Sequence, residues 1–352
     1  MNIQYLNELS RDKNNNFNLI RFTLALMVLF SHSFILIDSK FSALQNFNNL
    51  GKSFGDIAVD IFFIISGFLI TKSYVNRRSL SAYLKARALR IYPAVIVMTI
   101  FCIILGVLNT SYTLKQFFTD SDIYQFWVNN SILLFGIKHE LPGLFYNNPF
   151  PNEVNGSLWT LRYELKMYIF IAIACSSLAY LAQKFNYINS KFVILLFTIG
   201  MLCIYIANHN FSFLNSHYPR LLYMFFCGAT YYLFADKISI NKKTFIIFTV
   251  ALILSSITNI LAFEIYCITI PYIIFFLAYI PKGFILNYNK LGDYSYGFYI
   301  YAFPIQQTIV HLYPTISIEG MILWSFSLTL VMAILSWHFI EAPFLAKKYH
   351  TK

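Results

Sequence analysis

An arginine and a histidine, Arg21 and His32, stand eleven positions apart in an otherwise apolar run from Phe17 to Ile37. Eleven steps at ~100° return a helix to within about 20° of the same face and climb roughly 16 Å. One helix face therefore carries a guanidinium at one end and an imidazole well inside. Ionisable groups within apolar spans are costly and mark sites. Histidine is the side chain best matched to general-base work near neutral pH. A second apolar run holds Asp60, at a depth comparable to His32 if the two spans run antiparallel. A carboxylate there can orient an imidazole and stabilise its charged form. A third candidate is Glu164, in the segment Trp159-Thr160-Leu161-Arg162-Tyr163-Glu164-Leu165-Lys166. Its three charges either neutralise one another or line a sugar site, with the Trp159 indole as a stacking platform. The catalytic candidates are His32, Asp60 and Glu164.

The densest basic stretch follows Asp60 in the chain: Arg77, Arg78, Lys85, Arg87 and Arg90. Part of it serves as an anchor against anionic lipid. Guanidinium forks also fit phosphate oxygens, so Arg21, Arg77, Arg78, Arg87 and Arg90 are candidates for holding a phosphorylated donor. Trp159, Arg162, Arg220, Ser66 and Tyr296 are candidates for contact with the acceptor. Ser66-Gly67 also offers a small surface for close helix approach. The hydroxyls around Tyr296, with Pro304 downstream, suggest a bent helix lining a cavity. Glu341 reads as a partner for basic loop residues. His32, His209, His217, His311 and His338 have no ligand spacing among them, so no metal site is expected. The five cysteines all fall inside apolar runs and read as small packing residues.

These side chains need elements to position them. Of the 352 residues, 58% are hydrophobic and 12% charged, about half the charged share of a soluble domain. Ten segments are apolar over roughly the 20 residues that a membrane helix needs: 17-37, 57-75, 90-109, 157-181, 192-207, 219-235, 244-261, 263-280, 294-313 and 320-340. The first is too long for a signal-peptide core and lacks a small-residue cleavage site, so it reads as a permanent span. A shorter apolar patch, Phe126 to Ile137, reads as interfacial or re-entrant. With the N-terminus inside, 18 of the 26 Lys and Arg lie in inside segments and 4 in outside ones. That asymmetry sets the orientation, and it accounts for the net charge of +11 without nucleic acid. The expected fold is all-α: a polytopic membrane helix bundle of about ten transmembrane helices, both termini cytoplasmic, one domain over 1-352. The long segment from Ser111 to Gly156 falls outside, either as a functional loop or as a connector. No internal repeat of the kind common in secondary transporters is present.

The motifs occur in an order that resembles the membrane-bound acyltransferase family 3, bacterial enzymes that O-acylate surface polysaccharides and lipopolysaccharide. Arg21 and His32 match its opening Arg–ten residues–His pattern. Asp60, Phe62, Phe63, Ser66 and Gly67 match the next, followed by Arg87, Arg90, Ile91 and Pro93. Trp159, Thr160, Leu161 and Glu164 match a third segment; Arg220, Phe226 and Gly228 a fourth. Ser295-Tyr296 and Glu341-Ala342-Pro343 match the closing ones. The resemblance covers nearly the whole chain. One position departs: Ala302 stands where the family usually carries a histidine before the proline, here Pro304.

The resemblance implies acetyl-CoA as a cytoplasmic acyl donor, with no permanently bound cofactor. It implies a lipid-linked periplasmic glycan as acceptor, such as lipopolysaccharide O-antigen, and a place in the bacterial inner membrane. With the chain ending at Lys352, it is similar to the stand-alone type, without an extracytoplasmic hydrolase-like domain. The rival reading is a carrier of a lipid-linked sugar or organic ion, which explains buried charge without chemistry.

Overall fold

The computed structural model describes residues 4–12, 14–38, 50–77, 79–184 and 189–347. All ten predicted segments are helical: α1 Phe17–Ile37, α2 Phe54–Val75, α3 Leu80–Asn109, α4 Leu158–Lys184, α5 Ser190–Phe211, α6 Tyr218–Leu233, α7 Lys242–Thr258, α8 Ala262–Tyr279, α9 Ser295–Leu312 and α10 Ile318–Ser336. The predicted interfacial patch falls in two parts, helical up to Ile132 in the helix Ser121–Ile132 and non-helical beyond it. The only strands among the described residues are β1 Gln4–Tyr5 and β2 Ser239–Ile240, paired antiparallel.

Among the described residues, six helices are long and apolar enough to cross a membrane: α1, α2, α3, α5, α8 and the continuous stretch Ile318–Ala346 that begins with α10. The other four differ for visible reasons. With 16 and 17 residues, α6 and α7 are short beside the roughly 20 that a span needs. Arg162, Glu164 and Lys166 sit in the first turns of α4, and α9 is rich in tyrosine and glutamine.

Helix ends follow local chemistry. The α2 helix starts three residues before the predicted boundary because Ser53 and Asp56 form a reciprocal capping box that satisfies two otherwise orphaned donors. Asn259, in the left-handed region at φ 58°, ends α7. Two prolines free a backbone carbonyl one turn earlier, since proline has no N–H to donate. Pro271 frees the Cys267 carbonyl, and Tyr223 Oη donates to it at 2.8 Å. Pro304 frees the Ile300 carbonyl, and Asn155 Nδ2 donates to it at 2.9 Å.

The chain divides into two compact units. The first comprises Met1–Ile20, Gln45–Leu80 and Lys166–Leu291; the second comprises Arg21–Leu44, Ser81–Leu165 and Gly292–Lys352. In the first unit α2 crosses α6 at two glycines. A Cβ built on Gly67 would lie 1.8 Å from the Phe225 carbonyl oxygen, and one on Gly228 would lie 2.0 Å from that of Ile64. Backbone meets backbone here, the close approach that small residues permit in membrane helices. Gly67→Ala or Gly228→Ala therefore pushes the helices apart, at an expected cost of about 1–3 kcal/mol or more. Gly200→Ala on α5, where nothing lies within 4 Å, is the control. The thermal midpoint in detergent should fall for the first two and hold for the third.

In the second unit the 111–156 segment is tied to α9. Asn148 Nδ2 donates to the backbone and side-chain oxygens of Gln307, and Gln307 Nε2 donates to the carbonyls of Phe150 and Glu153. Asn130 and Lys138 exchange side-chain and backbone bonds.

Candidate active site

In the second unit, Arg21 and Arg90, far apart in sequence, converge on Asp293. Its Oδ2 accepts from Arg21 Nη2 at 2.9 Å and from Arg90 Nη2 at 2.6 Å. Its Oδ1 accepts from Ser295 Oγ at 2.6 Å. Arg90 Nη1 reaches Glu341 Oε2 at 3.4 Å, and Ser336 Oγ donates to Glu341 Oε1 at 3.0 Å. The expected partner of Glu341 is a basic loop residue; the observed partner is basic, Arg90, but it stands in the α3 helix. Tyr296 donates through Oη to the Ile91 carbonyl, and its ring lies 5.4 Å from the Arg90 guanidinium carbon, within cation–π range. Burial pushes the Asp293 carboxyl up; the Arg21 and Arg90 guanidiniums and the Ser295 hydroxyl outweigh it and hold the group at about 2.

Farther along α1, His32 is half-buried and meets Phe303 of α9 edge-on, with ring centroids 5.1 Å apart. The turn that carries His32 is held by Gln306, which is fully buried. Its Nε2 donates to the Leu29 carbonyl at 2.9 Å and to Ser33 Oγ at 2.8 Å. Phe303 also packs on Gly156, where an added Cβ would come within 2.7 Å of the ring. One turn back on α9, Tyr299 Oη donates to the Ser157 carbonyl at 3.2 Å and lies 2.6 Å from Thr160 Oγ1. Tyr299, Phe303 and Gln306 follow the i, i+4, i+7 spacing of one helix face. That face fixes both the His32 turn and the start of α4.

Glu164 stands four residues beyond Thr160, on the same side of α4. Trp159 packs edge-on to Tyr163, at 5.8 Å between ring centroids. Arg162 and Arg87 are half-buried. Ala302 is buried on α9.

The first unit holds a second cluster. Asp60 is fully buried, and both of its oxygens are taken within that unit. Oδ1 accepts from Arg220 Nε at 2.6 Å; Oδ2 accepts from Lys52 Nζ at 2.9 Å and from Tyr266 Oη at 3.0 Å. Arg220 also binds Asp56, and Lys52 donates to Tyr205 Oη. Two cations face two carboxylates. The sequence reading gives Asp60 to the imidazole; the structure supplies it with Arg220, Lys52 and Tyr266. Ser66 sits beside Gly67, at the crossing of α2 and α6. Arg77 follows α2 in this unit, and Arg78 lies outside the described residues.

The sequence reading missed Asp293 as the partner of Arg21, and Lys52 and Asp56 as partners in the Asp60 cluster. Only Asp56 left a signal, standing one helical turn before Asp60. Gln306 and Ser157 are visible in the sequence as polar residues, without the geometry that gives them a role.

The 111–156 segment also carries a titratable pair, His139 Nδ1 with Glu153. The hydrogen bond to Glu153 raises the His139 pKa against the opposing effect of burial. A raised imidazole value contributes stability that is fully present below about 6.5 and lost as pH climbs through the raised value. The His139 side chain is 43% exposed, so the gain is screened to under ~1 kcal/mol. The thermal midpoint of His139→Gln should lie below that of the native chain at pH 5.5 and match it by about pH 9.

A helical membrane protein that holds an imidazole, buried hydroxyls and paired guanidiniums in one unit has the components of a group-transfer enzyme. Over residues 14–341 the chain matches the family described as an acyltransferase domain. It belongs to that family, acyltransferase 3, and is an acyltransferase. It is 29% identical over 355 residues to an O-acetyl transferase of Shigella phage Sf6, covering 95% of this chain and 97% of the relative. It is 30% identical over 174 residues to nodulation protein 10 of Rhizobium leguminosarum bv. viciae, covering 46% of this chain and 44% of that one. It is 24% identical over 156 residues to the O-acetyltransferase OatA of Staphylococcus aureus, covering 43% and 25%. No solved structure matches it.

Proposed function

We propose that the protein is a membrane O-acetyltransferase that moves an acetyl group from cytoplasmic acetyl-CoA to a hydroxyl of a cell-surface glycan. The acceptor we favour is lipid-linked lipopolysaccharide O-antigen, and the setting is the bacterial inner membrane. The chain crosses the membrane ten times, with both termini in the cytoplasm. The observation that carries this reading is the position of His32: in a chain of an acyltransferase family, α9 braces it from two sides through Phe303 and Gln306. The names of the phage and staphylococcal relatives, both O-acetyl transferases, support the acetyl group and the oxygen acceptor.

In the reaction, the acceptor hydroxyl oxygen bonds to the thioester carbonyl carbon while His32 takes its proton. The tetrahedral intermediate then collapses. The C–S bond breaks, and the departing CoA thiolate recovers the proton from the imidazolium. Arg21, Arg87 and Arg90 hold the donor's phosphates. Asp293 orients Arg21 and Arg90 for this, accepting from both guanidiniums on one oxygen. Glu164, Trp159 and Arg162 on α4 face the acceptor.

The test adds labelled acetyl-CoA to membranes containing the protein and lipopolysaccharide. Label should enter the glycan as alkali-labile ester. Movement of a sugar or ion across the membrane with no ester formed would favour the carrier reading instead.

A further inference from the structure

The start of α4 is enclosed within the second unit. Val154, Asn155, Ser157, Leu158 and Thr160 are all buried. The first N–H groups of any helix have no acceptor inside it, and a buried helix start needs caps, water or a ligand. Ser157 stands just before α4, where a serine hydroxyl usually caps by accepting from the backbone two or three residues on. Here it does not. Its Oγ is buried and makes no hydrogen bond among the described residues. The rest of Ser157 is committed: its N–H donates to Asn155 Oδ1 at 3.2 Å, and its carbonyl accepts from Tyr299 and from Thr160 Oγ1. The backbone is clamped and the hydroxyl is left over.

Two further contacts link this helix start to the His32 turn through α9. Phe303 touches the His32 ring on one side and Gly156, the neighbour of Ser157, on the other. Asn155 Nδ2 is spent on the Ile300 carbonyl that Pro304 leaves open, which locks the start of α4 to the helix bracing His32.

Resting on the reaction proposed above, we infer that Ser157 Oγ and the N-terminal end of α4 form the oxyanion cradle for acyl transfer. When the acceptor oxygen bonds to the thioester carbonyl carbon, the carbonyl π electrons move to its oxygen. Ser157 donates a hydrogen bond to that oxyanion, and the positive end of the α4 dipole faces it. The pair returns to re-form the carbonyl as the C–S bond breaks, and Ser157 keeps its proton throughout. Preorganised donors of this kind act on charge that develops only in the transition state, so their loss falls on kcat.

The experiment uses the full chain in membrane vesicles carrying lipopolysaccharide, with labelled acetyl-CoA as donor. Ser157→Ala should lower kcat by about a hundredfold or more, leave the KM for acetyl-CoA within about twofold, and leave the thermal midpoint unchanged, since the hydroxyl caps nothing. Ser157→Cys, close in volume but with a weak S–H donor, should fall between Ala and the native chain. A purely structural serine would give the opposite pattern, a lower midpoint with native turnover per folded molecule, and would overturn the inference. So would acetyl found on Ser157 by mass spectrometry after acid quench, which would make it a nucleophile. If Ser157→Ala turns over like the native chain while His32→Ala is inactive, the cradle fails and the proposed function stands. If the native chain forms no ester at all, the functional reading falls first.

Discussion

His32→Ala lowers acetyl-ester formation by about a hundredfold to ten-thousandfold, the range that a positioned general base contributes, while the variant still inserts and folds. The stability half of this expectation comes from the packing. His32 is half-buried and meets Phe303 through its ring edge, a contact worth about 0.5–1.5 kcal/mol, so truncation lowers the melting midpoint by only a few degrees. The turn itself is held by Gln306 through the Leu29 carbonyl and Ser33 Oγ, neither of which needs the imidazole. Turnover and melting, measured on one preparation, separate the two effects.

Asp60→Ala should do the reverse. Removing that carboxylate leaves Lys52 and Arg220 with Asp56 alone, and takes the hydrogen-bond acceptor from Tyr266. Breaking a buried pair by deleting one partner costs about 3–5 kcal/mol, because the surviving charge stays buried without compensation. The midpoint of denaturation in detergent should drop sharply, with much less folded protein recovered from membranes. Turnover per folded molecule should change by less than tenfold. A variant as stable as the native chain but without turnover would instead make Asp60 part of the chemistry.

The apolar runs were enough to locate every long helix, because about 20 apolar residues in a chain this poor in charge have few other uses. Their ends were harder to read. Ser53 and Asp56 extend α2 through a cap that hydropathy does not register. The α3 helix begins at Leu80, in a basic stretch that hydropathy reads as loop. The Arg21–His32 spacing was legible because it belongs to one helix. The partners were not. Asp293 lies far from Arg21 in the chain, and nothing local to either residue specifies the pairing. The same holds for Arg220 with Asp60, and for Asn155 with the carbonyl that Pro304 frees. Sequence placed Arg21, His32 and Asp60 within apolar spans; three-dimensional packing buried Lys52 as well and decided which donor met which acceptor.

Chemical rescue addresses the imidazole itself. His32→Ala vesicles are supplied with labelled acetyl-CoA, lipopolysaccharide and increasing free imidazole. Ester formation should recover in part, rising with imidazole concentration and following its neutral form as pH is varied. Native-level ester formation by His32→Ala with no imidazole added would contradict the account.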